Sequence, residues 1–316
     1  MSNKKRIRFM CNPVSGSEVG RYIRRTKMIK DKLIDKFLDM DQFDYDVHFT
    51  EESGHASELC LDAVKKNYDI VIAVGGDGTV NEVGSVLVGS NVAMGIVPAG
   101  SGNGFSRHLH IPMHLRGALK VINEGNIIKV DTGLIRPSSL DGVKNEWVHF
   151  ICTAGMAFDA HMAEKFVKMK KRGFWQYIKI TAKEVFSYKS RDYKLLIDGE
   201  ERHFKAYVLT IANASQYGNN AVISPSAMVT DGELDVCVFK DFPMHKVFKI
   251  VFQLFTRSID NSSYLEIFKA KEVSIFKEED HIQIDGDYMH LGKELEVKVN
   301  SLSLNVLAPP NNSQKW

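Results

Sequence analysis

The chain has 316 residues, and its 41 lysines and arginines nearly balance 39 aspartates and glutamates, which leaves a net charge of +2 that gives no sign of nucleic-acid binding. Its 44% apolar and 25% charged residues are typical of a globular protein with two domains of ordinary size. Its four cysteines form no C-x-x-C motif, which argues against a zinc site or disulfide scaffold and indicates a reducing cytoplasm.

The first 130 residues alternate between strand and helix patterns. Strands are predicted at residues 6–10, 46–49, 70–74 and 94–97, and helices at residues 19–38 and 56–66. The strands at 70–74 and 94–97 are apolar enough to be buried parallel strands. This alternation predicts an α/β sheet that binds its ligand at the carboxyl ends of the strands.

Two glycine-rich turns directly follow those two apolar strands. They read GGDGTVNE at residues 75–82 and PAGSGNG at residues 98–104. Glycines let the backbone approach a ligand closely, and N–H groups that lead into a helix bind phosphate. With the Asp77 carboxylate and the Thr79 and Ser101 hydroxyls, the turns predict a nucleotide phosphate site. Because Phe105 replaces the third glycine of G-x-G-x-x-G and no P-loop is present, the nucleotide is not named, and ordinary turns remain the alternative.

After Asp131 the pattern changes to strands rich in β-branched residues. Strands are predicted at residues 193–198, 205–212, 234–239, 272–276, 282–285 and 294–306, and helices at residues 159–171, 174–188 and 244–257. This half is predicted to be a largely antiparallel β domain that begins near residues 131–138. The longest apolar-rich stretch, residues 247–255, is too short for a bilayer span of about 20 residues, so only peripheral membrane contact is expected.

Four motifs, taken in order, resemble one known family. They are NPVSG at residues 12–16, GGDGTVNEV at 75–83, PAGSGN at 98–103 and DGD at 285–287. Their order resembles the diacylglycerol kinase catalytic superfamily, which includes bacterial soluble lipid kinases, sphingosine kinases and ceramide kinases. The resemblance implies a phosphofructokinase- or NAD-kinase-like α/β domain at residues 1–134, to which the tail 306–316 could return. It also implies a β-sandwich lipid-substrate domain at residues 135–305, with the nucleotide site in the cleft between the domains.

The resemblance implies a lipid kinase that uses ATP and Mg²⁺ and works in phospholipid metabolism. The implied ATP-binding residues are Asn12, Pro13, Val14, Ser15, Gly16, Thr50, Gly75, Gly76, Asp77, Gly78, Thr79, Val80, Asn81, Glu82, Ser101 and Asn103. Asp77 would lie beside the phosphates and their Mg²⁺, while Glu82 and Asn103 would support the phosphate turns.

The resemblance also implies catalytic and substrate-binding carboxylates in the second half. Asp287 stands where the family has a catalytic glutamate and would take the proton of the acceptor hydroxyl. Asp285 is its main rival and is alternatively a metal ligand. Asp159 resembles an aspartate that contacts a sphingoid head group.

Two magnesium sites are implied in the same way. Asp131 resembles an aspartate that organises water and magnesium near the nucleotide. Asp231, with the backbone carbonyls of Met228 and Glu233, resembles a structural magnesium site of bacterial members, whose hard oxygen ligands suit this ion.

The sequence departs from the family pattern at three positions. Asp287 is one methylene shorter than glutamate, Gly104 replaces an aspartate that often follows Asn103, and Ser17 replaces a frequent lysine. The second turn looks more like the sphingosine and ceramide kinase version. These departures leave the acceptor open between diacylglycerol, a sphingoid base and a related lipid. They also motivate the alternative of a nucleotide-binding regulator without catalysis, and the GGDG motif leaves NAD kinase as an enzymatic rival.

A lipid substrate at the membrane surface is the expected partner. Residues 168–177, KMKKRGFWQY, mix basic and aromatic side chains that suit anionic head groups, although a solvated helix–turn–helix joint fits equally. We therefore expect a cytoplasmic protein that associates transiently with membranes, either as a monomer or as a homodimer. His108, His110 and His114 invite a metal site, but surface or phosphate-adjacent histidines are the favoured interpretation because no cysteine or carboxylate completes the set.

Overall fold

This computed structural model describes residues 4–14, 34–138, 146–168 and 180–310. The chain divides into two compact units, with described residues 4–130 and 302–310 in the first unit and described residues within 131–301 in the second. The predicted ATP-binding residues Ser15 and Gly16, residues 169–177 of the predicted membrane segment and most of the predicted helix at 19–38 lie outside the described residues.

The first unit is an α/β fold built on a parallel sheet. Its strands run in the order β2–β1–β3–β4, namely β1 (Lys5–Cys11), β2 (Phe43–Phe49), β3 (Ile70–Gly75) and β4 (Ala93–Pro98). Every residue of β3 and β4 is buried, as expected for apolar strands that are covered on both faces. The helices are α1 (Asp35–Phe37), α2 (His55–Lys65), α3 (Asp77–Leu87), α4 (Gly104–His108) and α5 (Leu115–Glu124).

The carboxyl-terminal segment of the chain completes the sheet of the first unit. Val306 pairs in parallel with Met94 of β4, and Ala308 N–H donates to Asn126 O at 3.0 Å. Asn305 Nδ2 donates to Ser90 O at 3.1 Å. A fifth strand from the far end of the sequence therefore lies beside β4.

The second unit is mainly an antiparallel β structure. Its strands are β5 (Ile127–Pro137), β6 (Val148–Phe150), β7 (Thr153–Ala157), β8 (Arg191–Ile197), β9 (Glu200–Ala212), β10 (Gln216–Gly218), β11 (Ala221–Val222), β12 (Leu234–Lys240), β13 (Leu265–Ala270), β14 (Glu272–Lys277), β15 (His281–Ile284), β16 (Asp287–His290) and β17 (Glu294–Leu307). The first residues of β5 and the last residues of β17 belong to the first unit. The order β16–β15–β7–β9–β8–β14–β17 is antiparallel throughout, and β12 pairs with β9 and β13. Helices α6 (Phe158–Val167) and α7 (Val247–Phe255) and the 3₁₀ turns Met244–Lys246 and Ile259–Asn261 are also present. Residues 180–184 are helical, while residues 174–179 of the helix predicted at 174–188 lie outside the described residues.

The core of the second unit follows from the alternation along its strands. Leu195 of β8, Leu209 and Ile211 of β9 and Ile275 of β14 are fully buried in one cluster. Inward apolar positions at a spacing of two residues are what a sheet with one buried face requires. The predicted fold class, an α/β half followed by a largely antiparallel β half, is confirmed.

Two predicted helices are shorter than the sequence pattern suggested. The helix predicted over residues 159–171 ends at Val167, with Lys168 as its carboxyl-terminal cap. The helix predicted over residues 244–257 starts as a 3₁₀ turn and ends at Phe255. Arg257 then adopts a left-handed backbone with φ of 58°, which a right-handed helix cannot continue.

Candidate active site

The two glycine turns lie against each other at the carboxyl edge of the parallel sheet. Ala99 N–H and Gly100 N–H both donate to Gly75 O, at 2.8 Å and 3.2 Å. A Cβ atom on Gly100 would lie 2.4 Å from the Gly76 Cα atom, so only glycine permits this approach. The sequence predicted that both turns would fall on this edge, and their backbones are in direct contact there.

Asp77 and Asn103 hold the two turns together. Asp77 Oδ1 accepts from the Gly104 N–H at 2.7 Å, which ties the start of α3 to the start of α4. Asn103 has a left-handed backbone, and its side-chain amide bonds the Gly100 N–H and C=O at 3.0 Å and 2.9 Å. The predicted supporting role of Asn103 therefore has a direct geometric basis, while its contact with ATP stays a prediction.

The loop after β1 reaches the same edge. Asn12 Nδ2 donates to Thr79 Oγ1 at 3.2 Å, and Asn12 Oδ1 accepts from the Val14 N–H at 2.9 Å across Pro13. Thr50 follows the last residue of β2, and its N–H donates to Cys11 O at 3.0 Å. Because each segment follows the end of a parallel strand, the described part of the predicted ATP-binding set gathers at one edge.

Residues 80–82 of the predicted ATP-binding set have structural contacts of their own. Glu82 accepts from the Gly54 N–H at 3.0 Å and the Ala56 N–H at 3.1 Å, so its carboxylate caps the start of α2. Val80 is buried in the core and offers only its backbone to a ligand. Asn81 Oδ1 accepts from Ser85 Oγ at 3.5 Å. The capping role of Glu82 is a contact that the sequence analysis did not foresee.

The backbone at this edge can bind an anion, although Asp77 adds a carboxylate to the same turn. Helix α3 begins directly after Gly76, no side chain caps its first turn, and Asp77, Gly78 and Thr79 supply the first backbone N–H groups. The amino-terminal end of an 11-residue helix carries a partial positive charge. Ser101 is exposed in the opposing turn and presents a hydroxyl at the surface. Together with the close contact between the glycines, these groups fit a phosphate chain.

Two of the three histidines singled out in the sequence have defined surroundings. His108 is buried, and burial together with the nearby charge of His110 lowers the pKa of His108 to about 3. His114 Nδ1 accepts from the Gly117 N–H at 3.1 Å and caps α5. Within the described ranges, no group of three or more histidine, cysteine or acidic side chains is arranged to hold a metal ion.

In the second unit, Asp285 is a buried structural carboxylate. Asp285 and Gly286, with φ of 48° and 92°, form the tight turn between β15 and β16. The Asp285 carboxylate accepts three backbone N–H groups of residues 151–153 at 2.7, 2.8 and 2.9 Å. Charge-assisted hydrogen bonds of this kind hold residues 151–153 in place and engage the carboxylate that a base would need.

Asp287 is the exposed member of the DGD motif. It is the first residue of β16 and pairs with Ile284 across the hairpin. Its side chain lies at the surface, whereas that of Asp285 is 8% exposed. Of the two predicted bases, Asp287 is the exposed one, and its role as the base stays a prediction.

Asp159 lies in the first turn of α6 and accepts two hydroxyl hydrogen bonds. Thr210 Oγ1 and Tyr217 Oη donate to Asp159 Oδ2 at 2.6 Å and 2.7 Å. Burial raises the pKa of Asp159 to about 6, although both hydrogen bonds oppose the rise. A Cβ atom on Gly155 would lie 2.7 Å from Asp159 Oδ2, so glycine leaves room for this carboxylate. Thr210 and Tyr217, which are 51 and 58 residues away, were not among the predicted site residues.

Asp131 is completely buried and tied to the backbone around it. Its Oδ2 accepts from the Gly232 N–H at 2.8 Å, and its carbonyl accepts from Asn213 Nδ2 at 2.9 Å. Asn213 Oδ1 and both amide atoms of Gln216 are buried and have no hydrogen-bond partner among the described residues. Ordered water commonly satisfies such groups, and the magnesium and water network around Asp131 stays a prediction.

A lysine occupies the predicted structural magnesium site. Asp231 Oδ1 accepts from the Glu233 N–H at 3.1 Å, and Lys269 Nζ lies 2.7 Å from Asp231 Oδ2 and 2.8 Å from Asp235 Oδ1. Although burial lowers it, the hydrogen bonds to the two carboxylates raise the pKa of Lys269 overall. A divalent cation on Asp231 would face this ammonium, so the described cluster, including the partly exposed Met228, does not fit a second magnesium ion.

Comparison with known proteins assigns a family to both halves. Residues 6–135 match the diacylglycerol kinase catalytic domain, and residues 152–308 match the YegS C-terminal NAD kinase beta sandwich-like domain. The chain belongs to the diacylglycerol kinase family. Membership of this family supports kinase activity. The two matched ranges contain the glycine turns and the DGD hairpin.

One of two individual relatives has the name of this family. A diacylglycerol kinase of Staphylococcus aureus (strain Newman) is 39% identical over 134 residues, which are 41% of this chain and 40% of that protein. An uncharacterized protein of Synechocystis sp. is 28% identical over 96% of this chain and 70% of its own length. The staphylococcal match thus spans less than half of that relative.

Two solved structures share the fold of this kinase-family chain. A diacylglycerol kinase from Bacillus anthracis str. Sterne superposes with a TM-score of 0.68 at 20% identity, over 98% of both chains. Yeast NADH kinase complexed with NADH superposes with a TM-score of 0.56 at 10% identity, over 99% of this chain and 86% of that chain. At these identities the likeness is one of fold alone. No helix in the described ranges is long and apolar enough to cross a membrane.

Proposed function

We propose that this chain is an ATP- and Mg²⁺-dependent lipid kinase that phosphorylates a hydroxyl of diacylglycerol, a sphingoid base or a related lipid. The observation that carries the proposal is the contact between Gly76 and Gly100 at the start of α3. Because the two turns touch and have no side chains at the contact, a phosphate chain can approach the backbone of both turns at once. In a chain of the diacylglycerol kinase family, such an edge suits the phosphates of ATP.

The first unit would hold the nucleotide. The backbone N–H groups at the start of α3 would bind phosphate oxygens, and Asn12 and Ser101 would line the same edge. Asp77, fixed by the Gly104 N–H, would hold Mg²⁺. Bound ATP supplies the phosphoryl group, and its magnesium ion neutralises the charge that develops during transfer.

The second unit would hold and activate the acceptor. Asp287 is an exposed carboxylate that would take the proton of the acceptor hydroxyl as its oxygen attacks. Asp159 would contact the polar head of the lipid, with Thr210 and Tyr217 orienting its carboxylate. A carboxylate suits both acceptor classes, since it accepts a hydrogen bond from a hydroxyl and pairs with an ammonium group.

The deciding experiment is phosphate transfer from labelled ATP·Mg²⁺ to dispersed diacylglycerol, sphingosine, ceramide, monoacylglycerol and phosphatidylglycerol. A labelled lipid supports the proposal and names the acceptor. Asp77→Ala and Asp287→Asn should abolish labelling, whereas the matched exposed control Asp192→Asn should not. ATP binding without any labelled acceptor would contradict the proposal and favour a nucleotide-binding regulator.

NAD kinase is the second candidate, because yeast NADH kinase shares the fold. The same assay therefore includes NAD⁺ as an acceptor. Labelled NADP⁺ in the absence of labelled lipid would replace the lipid kinase proposal. Both reactions transfer a phosphoryl group to a hydroxyl, so the acceptor alone separates them.

A further inference from the structure

Helix α7 presents an apolar face to solvent. Phe248, Val251, Phe252 and Phe255 are 81, 46, 66 and 44% exposed. Their spacing of i, i+3, i+4 and i+7 places them on one side of the helix. Single exposed apolar residues are ordinary, but a contiguous apolar patch of this kind is typical of a protein, membrane or ligand interaction site.

The opposite face of α7 is anchored in the second unit. Val247 is buried, and Ile250 and Leu254 pack against the cluster that contains Phe239 and Leu265. The inner contacts therefore fix the orientation of the helix. The phenylalanines cannot turn inward without breaking that packing.

The charged residues within residues 242–259 are all basic, and Asp241 and Asp260 flank the segment. Lys246 and Lys249 lie at the start and on the exposed side of α7, and Arg257 follows its end. Residues 242–259 contain no aspartate or glutamate. Lysine side chains extend along an apolar surface and place their charge at its rim, where anionic head groups attract them.

The dimensions of α7 suit the plane of a membrane interface. Nine helical residues extend roughly 13 Å, less than half of a bilayer core of about 30 Å. Aromatic side chains with a basic rim are the pattern of helices that lie in the head-group region.

We propose that the outer face of α7 docks on a bilayer surface that contains anionic lipid, with Phe248 and Phe252 inserted among the acyl chains and Lys246 and Lys249 near the head groups. The choice of a membrane as the partner rests in part on the proposed lipid kinase function. Tyr217 packs against the same cluster as the inner face of α7 and donates to Asp159. The inner face of α7 and the side chain that holds Asp159 thus pack against one cluster.

The test is sedimentation of the full-length protein, without ATP, with vesicles of phosphatidylcholine alone or mixed with phosphatidylglycerol. The wild type should bind the mixed vesicles, and Phe248→Ser/Phe252→Ser should reduce binding at least roughly tenfold. Lys246→Gln/Lys249→Gln should weaken binding to the mixed vesicles and reduce its salt dependence. Phe186→Ser is the matched control, since this phenylalanine is 61% exposed outside α7 and binding should persist. Circular dichroism verifies that each variant is folded.

Three results would overturn the docking proposal. The first is wild-type vesicle binding by Phe248→Ser/Phe252→Ser, and the second is loss of binding by Phe186→Ser alone. The third is a wild type that forms a dimer in light scattering and does not bind vesicles, while Phe248→Ser/Phe252→Ser is a monomer. That result would make a second copy of the chain the partner of α7. Vesicle binding without any labelled lipid would refute only the kinase proposal, and labelled lipid without vesicle binding would refute only docking.

Discussion

Asp159 is an acid whose folded surroundings favour its protonated form. Burial raises the pKa of Asp159 from 3.8 to about 6, so the folded protein holds this proton more tightly than the unfolded chain. The resulting stabilisation is complete below the unfolded pKa of 3.8 and is lost as the pH rises through about 6. A shift of this size corresponds to a contribution of about 3 kcal/mol.

Substitution of Asp159 should therefore change the pH dependence of stability. Asp159→Asn keeps a side-chain oxygen for Thr210 and Tyr217 but cannot titrate. Urea unfolding at pH values below, between and above the two pKa values should show the wild type losing stability relative to the variant as the pH rises. Parallel curves would place the Asp159 carboxylate in a more hydrated environment than its contacts indicate.

The two aspartates of the DGD turn should respond to mutation in opposite ways. Asp287→Asn should lower the turnover number by roughly 10²–10⁴ with little change in stability, because the exposed carboxylate would be lost as a base. Asp287→Glu should retain activity.

Asp285→Asn should instead lower the free energy of unfolding, because it weakens three charge-assisted hydrogen bonds that each contribute about 1.5–3 kcal/mol.

Turnover and urea unfolding, measured on the same preparations, separate these roles. If Asp287→Asn keeps full activity, the base lies elsewhere. Unchanged stability in Asp285→Asn would mean that the three backbone bonds contribute little.

At the scale of elements, the contact between the glycine turns depends on the absence of side chains. Gly100→Ala would place a Cβ atom 2.4 Å from the Gly76 Cα atom and 2.8 Å from Asn103 Oδ1, so the backbone must move. We expect a loss of about 1–3 kcal/mol in stability and weaker ATP binding. Ser101→Ala, in the same turn but exposed, should stay within about 0.5 kcal/mol of the wild type in stability.

Thermal unfolding and nucleotide titration test both effects. A Gly100→Ala protein with wild-type stability and ATP affinity would show that the two turns separate at no cost. The phosphate site would then not depend on their contact.

Strand β13 supplies the cation that pairs with Asp231 and Asp235. Lys269→Met would leave Asp235, which is 1% exposed, without the nearby positive charge. Removal of one partner from a buried ion pair typically costs about 3–5 kcal/mol, and the partial exposure of Lys269 places the expected loss at the low end. Lys269→Met/Asp235→Asn should recover part of the loss because the buried charge is removed.

Magnesium distinguishes the ion pair from a metal site at Asp231. The melting temperature of the wild type, without nucleotide, should not depend on added Mg²⁺, because the Lys269 ammonium already pairs with both carboxylates. Lys269→Met should gain stability with Mg²⁺, since hard oxygen ligands are then available. A strong Mg²⁺ dependence in the wild type would restore the structural magnesium predicted at Asp231.

At the scale of the whole molecule, local sequence patterns were enough to predict many of the strands and turns. Continuous apolar runs predicted β3 and β4, and a glycine cluster after each run predicted turns at one sheet edge. These signals are local, because a strand and its following turn are adjacent in sequence. Strands β6 and β7, of three and five residues, have patterns too short to be distinguished from loops and were not predicted.

The missed site contacts share a different cause. Glu82 caps a helix 26 to 28 residues earlier in the chain, and the Asp285 carboxylate binds backbone that lies more than 130 residues away. Lys269 pairs with a carboxylate 38 residues away and lies in a strand that was not predicted. No periodicity or spacing encodes such pairs, because the fold alone decides which distant segments meet.

The return of the chain to the first unit makes that unit depend on both ends of the sequence. Leu307 is 1% exposed, and its Cδ1 lies 3.4 Å from the position of a Cβ atom on Gly95 in β4. Leu307→Ala should therefore lower the free energy of unfolding by about 2–5 kcal/mol, as for other buried leucines. Leu61→Ala, 48% exposed on α2, is the matched control and should cost far less. Urea unfolding together with hydrogen exchange of the β4 amides measures both effects. Equal, small losses in the two variants would show that the first unit is stable without its carboxyl-terminal strand.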